Sequence, residues 1–397
     1  MFLLSIMISE VIMYERPIIN TILNRLNEPK MQILLGARQV GKTTLIQQAL
    51  RKISAPYHYI IAESGYTTSW IEQQWAYARA LSTSGSAILV VDEIQKIGDW
   101  SERVKRLFDE DTVANRKVHV VLLGSSSLLL QKGLSESMAG RFEIIPISHW
   151  TLTECQEAFD LTLDEFIYLG GYPGALSYRN EENRFHSYLQ DSIVEPVVSR
   201  DILSQNLITK PALLRELFRL GCEYSSQILA FNKMLGQLQD AGNTTTLSHY
   251  LTLLDQAYVL KGIHKYTSEA VRQRQSSPKL QVYNTALQTV THKKTFKDSM
   301  SDPDFKGRLV ESCIGAYILS NTNTKVFYWR EDNQEVDFVV QLHGKTIAIE
   351  VKSGKKLKAA PGLELFSKKY AVDAKLLVGT GGIPVEVFLK TPLEHFI

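Results

Sequence analysis

Met31-Gln-Ile-Leu-Leu35 runs directly into Gly36-Ala37-Arg38-Gln39-Val40-Gly41-Lys42-Thr43-Thr44, and the residues from Lys42 to Lys52 repeat their apolar positions at helical spacing. This pattern reads as a buried parallel strand, a tight glycine loop and an amphipathic helix. Gly36 and Gly41 allow backbone conformations and close approaches that a side chain would block, so successive N–H groups converge on an anion. A helix starting near Lys42 adds the positive end of its dipole at the same point. In such a loop the lysine reaches the β- and γ-phosphates of a nucleoside triphosphate, and the next hydroxyl ligates Mg²⁺. Residues Gly36 to Thr44 are therefore the candidate nucleotide-binding residues, with Lys42 in a catalytic role and Thr43 as a metal ligand.

The second half of the site is expected in Ala87-Ile-Leu-Val-Val91-Asp92-Glu93. A solid apolar run marks a strand buried on both faces of a parallel sheet. Asp92 at its end would hold Mg²⁺ or its waters, and Glu93 would orient and deprotonate the attacking water. A third strand, Lys117 to Leu123, ends in Gly124-Ser125-Ser126. Ser125 reads either as a γ-phosphate sensor at the ligand crevice or as the cap of the following helix. Arg141, just before a short strand at Phe142 to Ile147, reads either as a charge for the transition state, within the chain or across a subunit boundary, or as a surface arginine.

Composition narrows the remaining classes. The chain has 397 residues, 44% hydrophobic and 22% charged, as in a globular protein of two or three domains. A net charge of +2 creates no global field that argues for nucleic acid. Three separated cysteines, Cys155, Cys222 and Cys313, have no metal-like spacing and fit a reducing, cytoplasmic setting. No apolar run approaches the roughly 20 residues of a membrane span. The apolar first twelve residues lack a basic start and a cleavage site, which points to Met13 as the natural beginning.

Beyond Glu154 the pattern becomes helical, interrupted by Gly170-Gly-Tyr-Pro-Gly174. Leu229 to Gln239 and Thr244 to Leu254 outline a helix-turn-helix with a strand from Ala257. The second helix has no Lys or Arg, which favours packing or protein contacts over base recognition. Lys261, Lys265, Arg272, Arg274, Lys279, Lys293, Lys294 and Lys297 follow it, either as a phosphate-tracking surface or as ordinary solvated charge. Further on, Glu335 to Leu342 and Lys345 to Lys352 read as two strands around a tight turn. A two-residue turn would set Asp337 opposite Glu350 or Lys352 on one face, whereas a three-residue turn would scatter them. Two such carboxylates can hold Mg²⁺, with Lys352 orienting or deprotonating its water and Glu311 as a third acid. An alternating charged strand face is the plainer alternative.

The ordered series Gly36 to Thr44, Val91-Asp-Glu-Ile-Gln95, Gly124-Ser125-Ser126, Ala139-Gly-Arg141, Gly170-Gly-Tyr-Pro173 and Glu335-Val-Asp337 with Glu350-Val-Lys352 resembles a prokaryotic family. Its members join an AAA-type ATPase domain to a C-terminal domain of unknown function, built from a winged-helix-like segment and a restriction-endonuclease-like fold. The resemblance implies ATP and Mg²⁺ at Gly36, Gly41, Lys42, Thr43, Asp92 and Glu93, and a sensor at Ser125. It also matches Glu311, Asp337, Glu350 and Lys352 to the acidic and lysine positions of the endonuclease-like core. Leu123 departs from it, standing where a hydroxyl residue is expected. The expected architecture is α/β throughout. It comprises an N-terminal extension (1–15), a P-loop ATPase domain with a parallel sheet and helices on both faces (16–157) and a helical connector (158–210). A winged-helix-like domain (211–266), a linker (267–278) and an α/β nuclease-like domain (279–397) follow. Two functions follow: an ATPase controlling a Mg²⁺-dependent nuclease on DNA, or an ATP-driven switch for protein partners with an inert nuclease-like fold. A homo-oligomer is a further candidate partner state.

Overall fold

The computed structural model describes residues 14–124, 138–202, 208–238, 243–267, 276–321, 324–354 and 360–397. Its first sheet is assembled from β1 (Met31–Gly36), β2 (Tyr57–Ile61), β3 (Ala87–Asp92), β4 (Val118–Leu123) and β5 (Phe142–Ile147), in the order β2-β3-β4-β1-β5. All neighbours run parallel. β1 and β3 are buried along their whole length because helices cover both faces. Met31, Ile33, Leu89 and Val91 pack with Trp75 and Trp100 on one side, while Leu34, Ile88 and Val90 pack with Ile22, Leu45 and Ile46 on the other. The period of two within each apolar run thus supplies two cores at once. All C-terminal strand ends of a parallel sheet lie on one edge, and helix α1 (Lys42–Leu50) starts there.

The remainder contains α2 (Glu182–Leu189), two π-helical stretches (Gln190–Val194 and Pro196–Ile202), α3 (Pro211–Glu223), α4 (Thr244–Gln256), α5 (Thr285–His292) and α6 (Pro303–Ser320). It also holds a mixed sheet of β6 (Leu260–Lys265), β7 (Lys279–Val282), β8 (Thr324–Glu331), β9 (Gln334–Leu342), β10 (Lys345–Lys352) and β11 (Ala374–Gly379), ordered β11-β10-β9-β8-β6-β7. β6 comes from the segment expected to be a separate winged-helix domain, yet it pairs with both β7 and β8. One core runs from Leu152 to Leu393 through the connector, the helix-turn-helix and the second sheet. The physical reason is edge protection: without β6, the ladder groups of β8 would be left unpaired.

Two tight turns set the register of this sheet. Asp332-Asn333 joins β8 to β9, and His343-Gly344 joins β9 to β10, all four residues having positive φ as two-residue hairpin turns require. Lys345 pairs with Leu342, and the ladder continues to Ile349 opposite Phe338, which brings Glu350 opposite Asp337. Among the described residues no helix is long and apolar enough to cross a membrane.

Candidate functional site

The phosphate loop sits at the C-terminal edge of the first sheet, above a crevice of about 1010 Å³. Gly41 has φ 92, a left-handed conformation that favours glycine, and a Cβ there would meet open space. Gly36 is constrained differently: a Cβ would lie 2.0 Å from the carbonyl oxygen of Ile147 on β5. Its glycine is demanded by strand packing, not by a ligand. Thr43 Oγ1 donates to Asp92 Oδ2 at 2.7 Å, and Tyr59 donates to the same oxygen at 3.1 Å. The other Asp92 oxygen accepts the Glu93 N–H. Glu93 has φ 57, and its carboxylate accepts a hydrogen bond of 2.8 Å from Gln95.

Lys42 is folded back on its own loop, donating to the carbonyls of Gly36 (3.1 Å) and Ala37 (2.7 Å). Burial pushes its ammonium down to about 8, against the upward pull of Glu93 and Asp92. An anion seated on the loop would favour the charged form.

The side chains of the loop are tied to the helical body. Arg38 Nη1 lies 3.1 Å from each carboxylate oxygen of Asp201, whose pKa burial raises and Arg38 only partly restores. Gln39 accepts from Tyr188 Oη at 2.8 Å and donates to the Ser192 carbonyl at 2.9 Å. Pro196 has no N–H and cannot supply the α-helical donor to that carbonyl, which the Gln39 amide reaches instead. Tyr59, Tyr188 and Asp201 escaped the sequence reading, and Gln95 was read only as part of its motif, without a role. Tyr59, Tyr188 and Asp201 lie outside any local motif and reach the site only through the fold.

Two expected contributors are placed elsewhere or beyond description. Ser125 lies outside the described residues, as do Arg272 and Arg274 of the basic series. Arg141 precedes β5, at the N-terminal edge of the parallel sheet and thus opposite the phosphate loop. There it pairs with Asp109 through Nε (2.7 Å) and Nη2 (2.9 Å). That placement removes it from the nucleotide crevice of its own chain. A depression of about 1080 Å³ beside it is lined by mixed charges on the helix Trp100–Val113 and holds no converging catalytic groups.

At the second site Asp337, Glu350, Lys352 and Glu311 come together, around a residue expected on a solvated surface. Lys279 is completely buried, with its ammonium 2.6 Å from Glu311 Oε1, 3.3 Å from Asp337 Oδ1 and 3.4 Å from Glu335 Oε1. Asp337 Oδ2 accepts the Val351 N–H at 2.8 Å. Glu350 pairs through Oε1 with Lys352, while its Oε2 is buried without a hydrogen-bond partner. Burial and the neighbouring Asp337 raise the pKa values of both Glu311 and Glu350. Burial lowers the Lys352 pKa, but the Glu350 carboxylate more than reverses this and holds it as an ammonium. Among the described residues no group of three or more His, Cys, Asp or Glu is arranged to hold a metal ion. The expected Mg²⁺ ligand set of Glu311, Asp337 and Glu350 is therefore corrected: one oxygen of each, Glu311 Oε1, Asp337 Oδ1 and Glu350 Oε1, faces a lysine nitrogen.

The exposed face of α4 carries Thr244, Thr245, Ser248, His249 and Thr252. Beside it Lys261 pairs with Asp255, and further on Lys294 pairs with Asp302.

Residues 28–156 match the family model described as AAA domain, residues 160–296 a domain of unknown function (DUF8612) and residues 306–392 another (DUF4143). The N-terminal part of the chain is accordingly an AAA-type ATPase domain. An uncharacterized protein of Mycobacterium tuberculosis, Rv2008c, is 25% identical over 358 residues, 88% of this chain and 76% of the relative. The uncharacterized protein MJ1544 of Methanocaldococcus jannaschii is 23% identical over 343 residues, 78% of this chain and 72% of the relative. Among solved structures, the Walker-type ATPase PABY2304 of Pyrococcus abyssi aligns with a TM-score of 0.46 at 17% identity, covering 69% of this chain and 94% of that one. The Thermotoga maritima RuvB Holliday junction branch migration motor aligns at 0.32 and 16%, covering 62% and 88%. Scores of this size carry no functional argument.

Proposed function

We propose that the protein is an ATP-hydrolysing switch whose nucleotide state is passed from the phosphate loop to the C-terminal body. The observation that carries this reading is the 2.7 Å contact between Thr43 and Asp92 at the base of the crevice, with Lys42 and Glu93 beside it. The donor set fits Mg²⁺ and ATP: hard oxygens at Thr43 and Asp92, loop N–H groups on residues 37 to 44, and a lysine held only by carbonyls. Bound Mg²⁺·ATP would supply the phosphoanhydride to be cleaved and the charge neutralisation for its departure. Lys42 would leave the Gly36 and Ala37 carbonyls for the phosphates. Glu93, held by Gln95, would accept the proton of the attacking water. Arg38 and Gln39 would pass any loop movement to Asp201, Tyr188 and Ser192.

A second reading, a nuclease-like C-terminal domain acting on DNA, draws support from Asp337, Glu350, Lys352 and Glu311 meeting in one place. The Mg²⁺ it calls for does not fit the site as folded, and no step is assigned to it. The alternative, an effector that binds a protein partner without cleavage, accommodates Lys279 among the carboxylates and the uncharged face of α4.

ATP turnover by the purified protein and two variants tests the switch. Lys42→Ala should abolish turnover, and Glu93→Gln should keep ATP binding but slow hydrolysis by about two orders of magnitude or more. Wild-type turnover in both variants would sink the assignment. Plasmid or single-stranded DNA incubated with ATP and Mg²⁺ decides the second reading. That reading requires cleavage that disappears in an Asp337→Ala, Lys352→Ala double variant.

A further inference from the structure

We infer that Lys279 is the resident cation of the C-terminal acidic site, standing where a divalent ion would stand, and that the site as folded takes up no metal. The inference concerns this site alone and holds or fails independently of ATP hydrolysis.

Four oxygens surround the Lys279 ammonium: Glu311 Oε1 at 2.6 Å, Asp337 Oδ1 and the Asp337 carbonyl at 3.3 Å, and Glu335 Oε1 at 3.4 Å. An ammonium has three donors, so four acceptors saturate it. The Phe338 ring closes another side, 4.9 Å from Nζ. These separations suit an ammonium. Mg²⁺ demands oxygens at about 2.0–2.1 Å in an octahedron, and Ca²⁺ needs them at about 2.3–2.6 Å. Admitting either ion would require the carboxylates to close in on a position the lysine nitrogen fills, and would set its charge against the ammonium.

Two of the remaining carboxylate oxygens are already engaged. Asp337 Oδ2 is held by the Val351 N–H and Glu350 Oε1 by Lys352. Among the described residues the site's buried carboxylate oxygens without a hydrogen-bond partner are Glu350 Oε2 and Glu311 Oε1, and the second is already ion-paired with Lys279, so too few remain for the octahedron of a divalent ion. Lys279 enters from β7, Glu311 from α6, and Glu335 and Asp337 from β9. The cation thus ties three elements together, the role a structural metal plays in other domains. Replacing it by an uncharged side chain should leave a cluster of carboxylates with space for an ion.

Mn²⁺ binding to the full-length protein, followed by electron paramagnetic resonance and calorimetry, tests this. Asp92→Asn is included in every sample to remove the carboxylate ligand of the ATPase site. The background protein should retain no Mn²⁺ that depends on Asp337. Adding Lys279→Met should create binding of about one equivalent, lost again on adding Asp337→Asn. Mn²⁺ retained by the background protein and released by Asp337→Asn overturns the inference, and this arm needs no substitution at 279 to fold. A Lys279→Met protein that is folded by circular dichroism but takes up no Mn²⁺ also overturns it, since Lys279 would then not occupy a cation's place.

Discussion

Protonation of His149 should weaken the junction between the ATPase domain and the C-terminal body. His149 follows β5 and is 8% exposed, with its ring held on both sides. Nε2 faces the Tyr258 carbonyl at 3.3 Å, and Nδ1 faces the Asn284 amide at 3.2 Å. The orientation of Asn284 follows from its other role: its Oδ1 accepts the Ala286 N–H as the cap of α5, so its NH₂ must point at the ring. Nδ1 is therefore an acceptor, and the neutral Nε2–H form is specified by the fold. Adding a proton would set two donors against each other. Burial, followed by the repulsion of Arg16 and Lys42 and despite the Tyr258 hydrogen bond, lowers the pKa from 6.5 to about 4. Below about 6.5 the unfolded chain binds a proton that the native state refuses, so stability falls as pH falls and levels off once the native ring also titrates near 4. At about 1.36 kcal/mol per unit, the loss is about 2 kcal/mol by pH 5 and about 3 kcal/mol by pH 4. Urea midpoints of wild type and His149→Gln at pH 7.5, 6 and 5 measure it as the difference between the two pH profiles. Histidine-selective NMR reads the ring directly. A His149 titration near 6.5 in the folded protein, or parallel pH profiles for the two proteins, would refute the reasoning.

The other predictions concern the loop and its anchors. Gly36→Ala should cost about 3 kcal/mol, because the added methyl meets the Ile147 backbone and must part β1 from β5. Gly41→Ala, strained only by its φ, should cost about 1–2 kcal/mol, and a reversed order in urea denaturation would disprove the crowding argument. Gln39→Ala should lose about 1–2 kcal/mol by orphaning the Ser192 carbonyl, and Tyr188→Phe, which removes one bond, about 1 kcal/mol or less. Equal effects would show that the carbonyl finds another donor. Arg16→Met should cost about 3 kcal/mol because it strips Glu154 of its buried partner at 2.8 Å. Adding Glu154→Gln should then change stability by much less than it does in wild type, and simple additivity would count against the pair.

What could be read from the chain was local. The strand-loop-helix around Gly36 and the Asp-Glu after β3 announce themselves because residue type, spacing and flanking periodicity agree within a dozen positions. The β9–β10 hairpin was legible for the same reason, but its register was left open among turns around His343-Gly344-Lys345, and the pairing of Lys345 with Leu342 decides it. Lys279 was not legible: a lysine after Ser-Ser-Pro looks solvated, and its partners lie 32, 56 and 58 positions away. Arg141 was left open between a catalytic and a surface role because Gly-Arg before a strand says nothing about which edge of the sheet the arginine will occupy. Parallel pairing of β5 with β1 decides that. β6 was assigned to a separate domain because residues 229–239 and 244–254 make a self-contained helix-turn-helix outline with a strand after it. The strand's alternation shows that it needs a sheet but not which one.

The loop's connections show why its movement would not stay local. Arg38 meets Asp201, Gln39 meets Tyr188 and Ser192, and the Val40 carbonyl accepts from both Arg16 (3.2 Å) and Trp150 (3.1 Å). Three consecutive residues of one loop are thus gripped by three separate parts of the chain. Arg215 of α3 carries the contact further, reaching Ser199 and Glu195 of the same helical stretch. α3 packs on β7, where Lys279 stands. Any ligand that changes the loop's conformation must change the free energy of these contacts, and by linkage the contacts must change the ligand's affinity by the same factor. Nucleotide affinity in Gln39→Ala and Arg38→Ala is thus a measure of coupling, since neither side chain is needed to neutralise phosphate if Lys42 and the loop amides do so. An affinity unchanged in both would mean that loop and body move independently, and the ATPase domain would then need some other route to its effector.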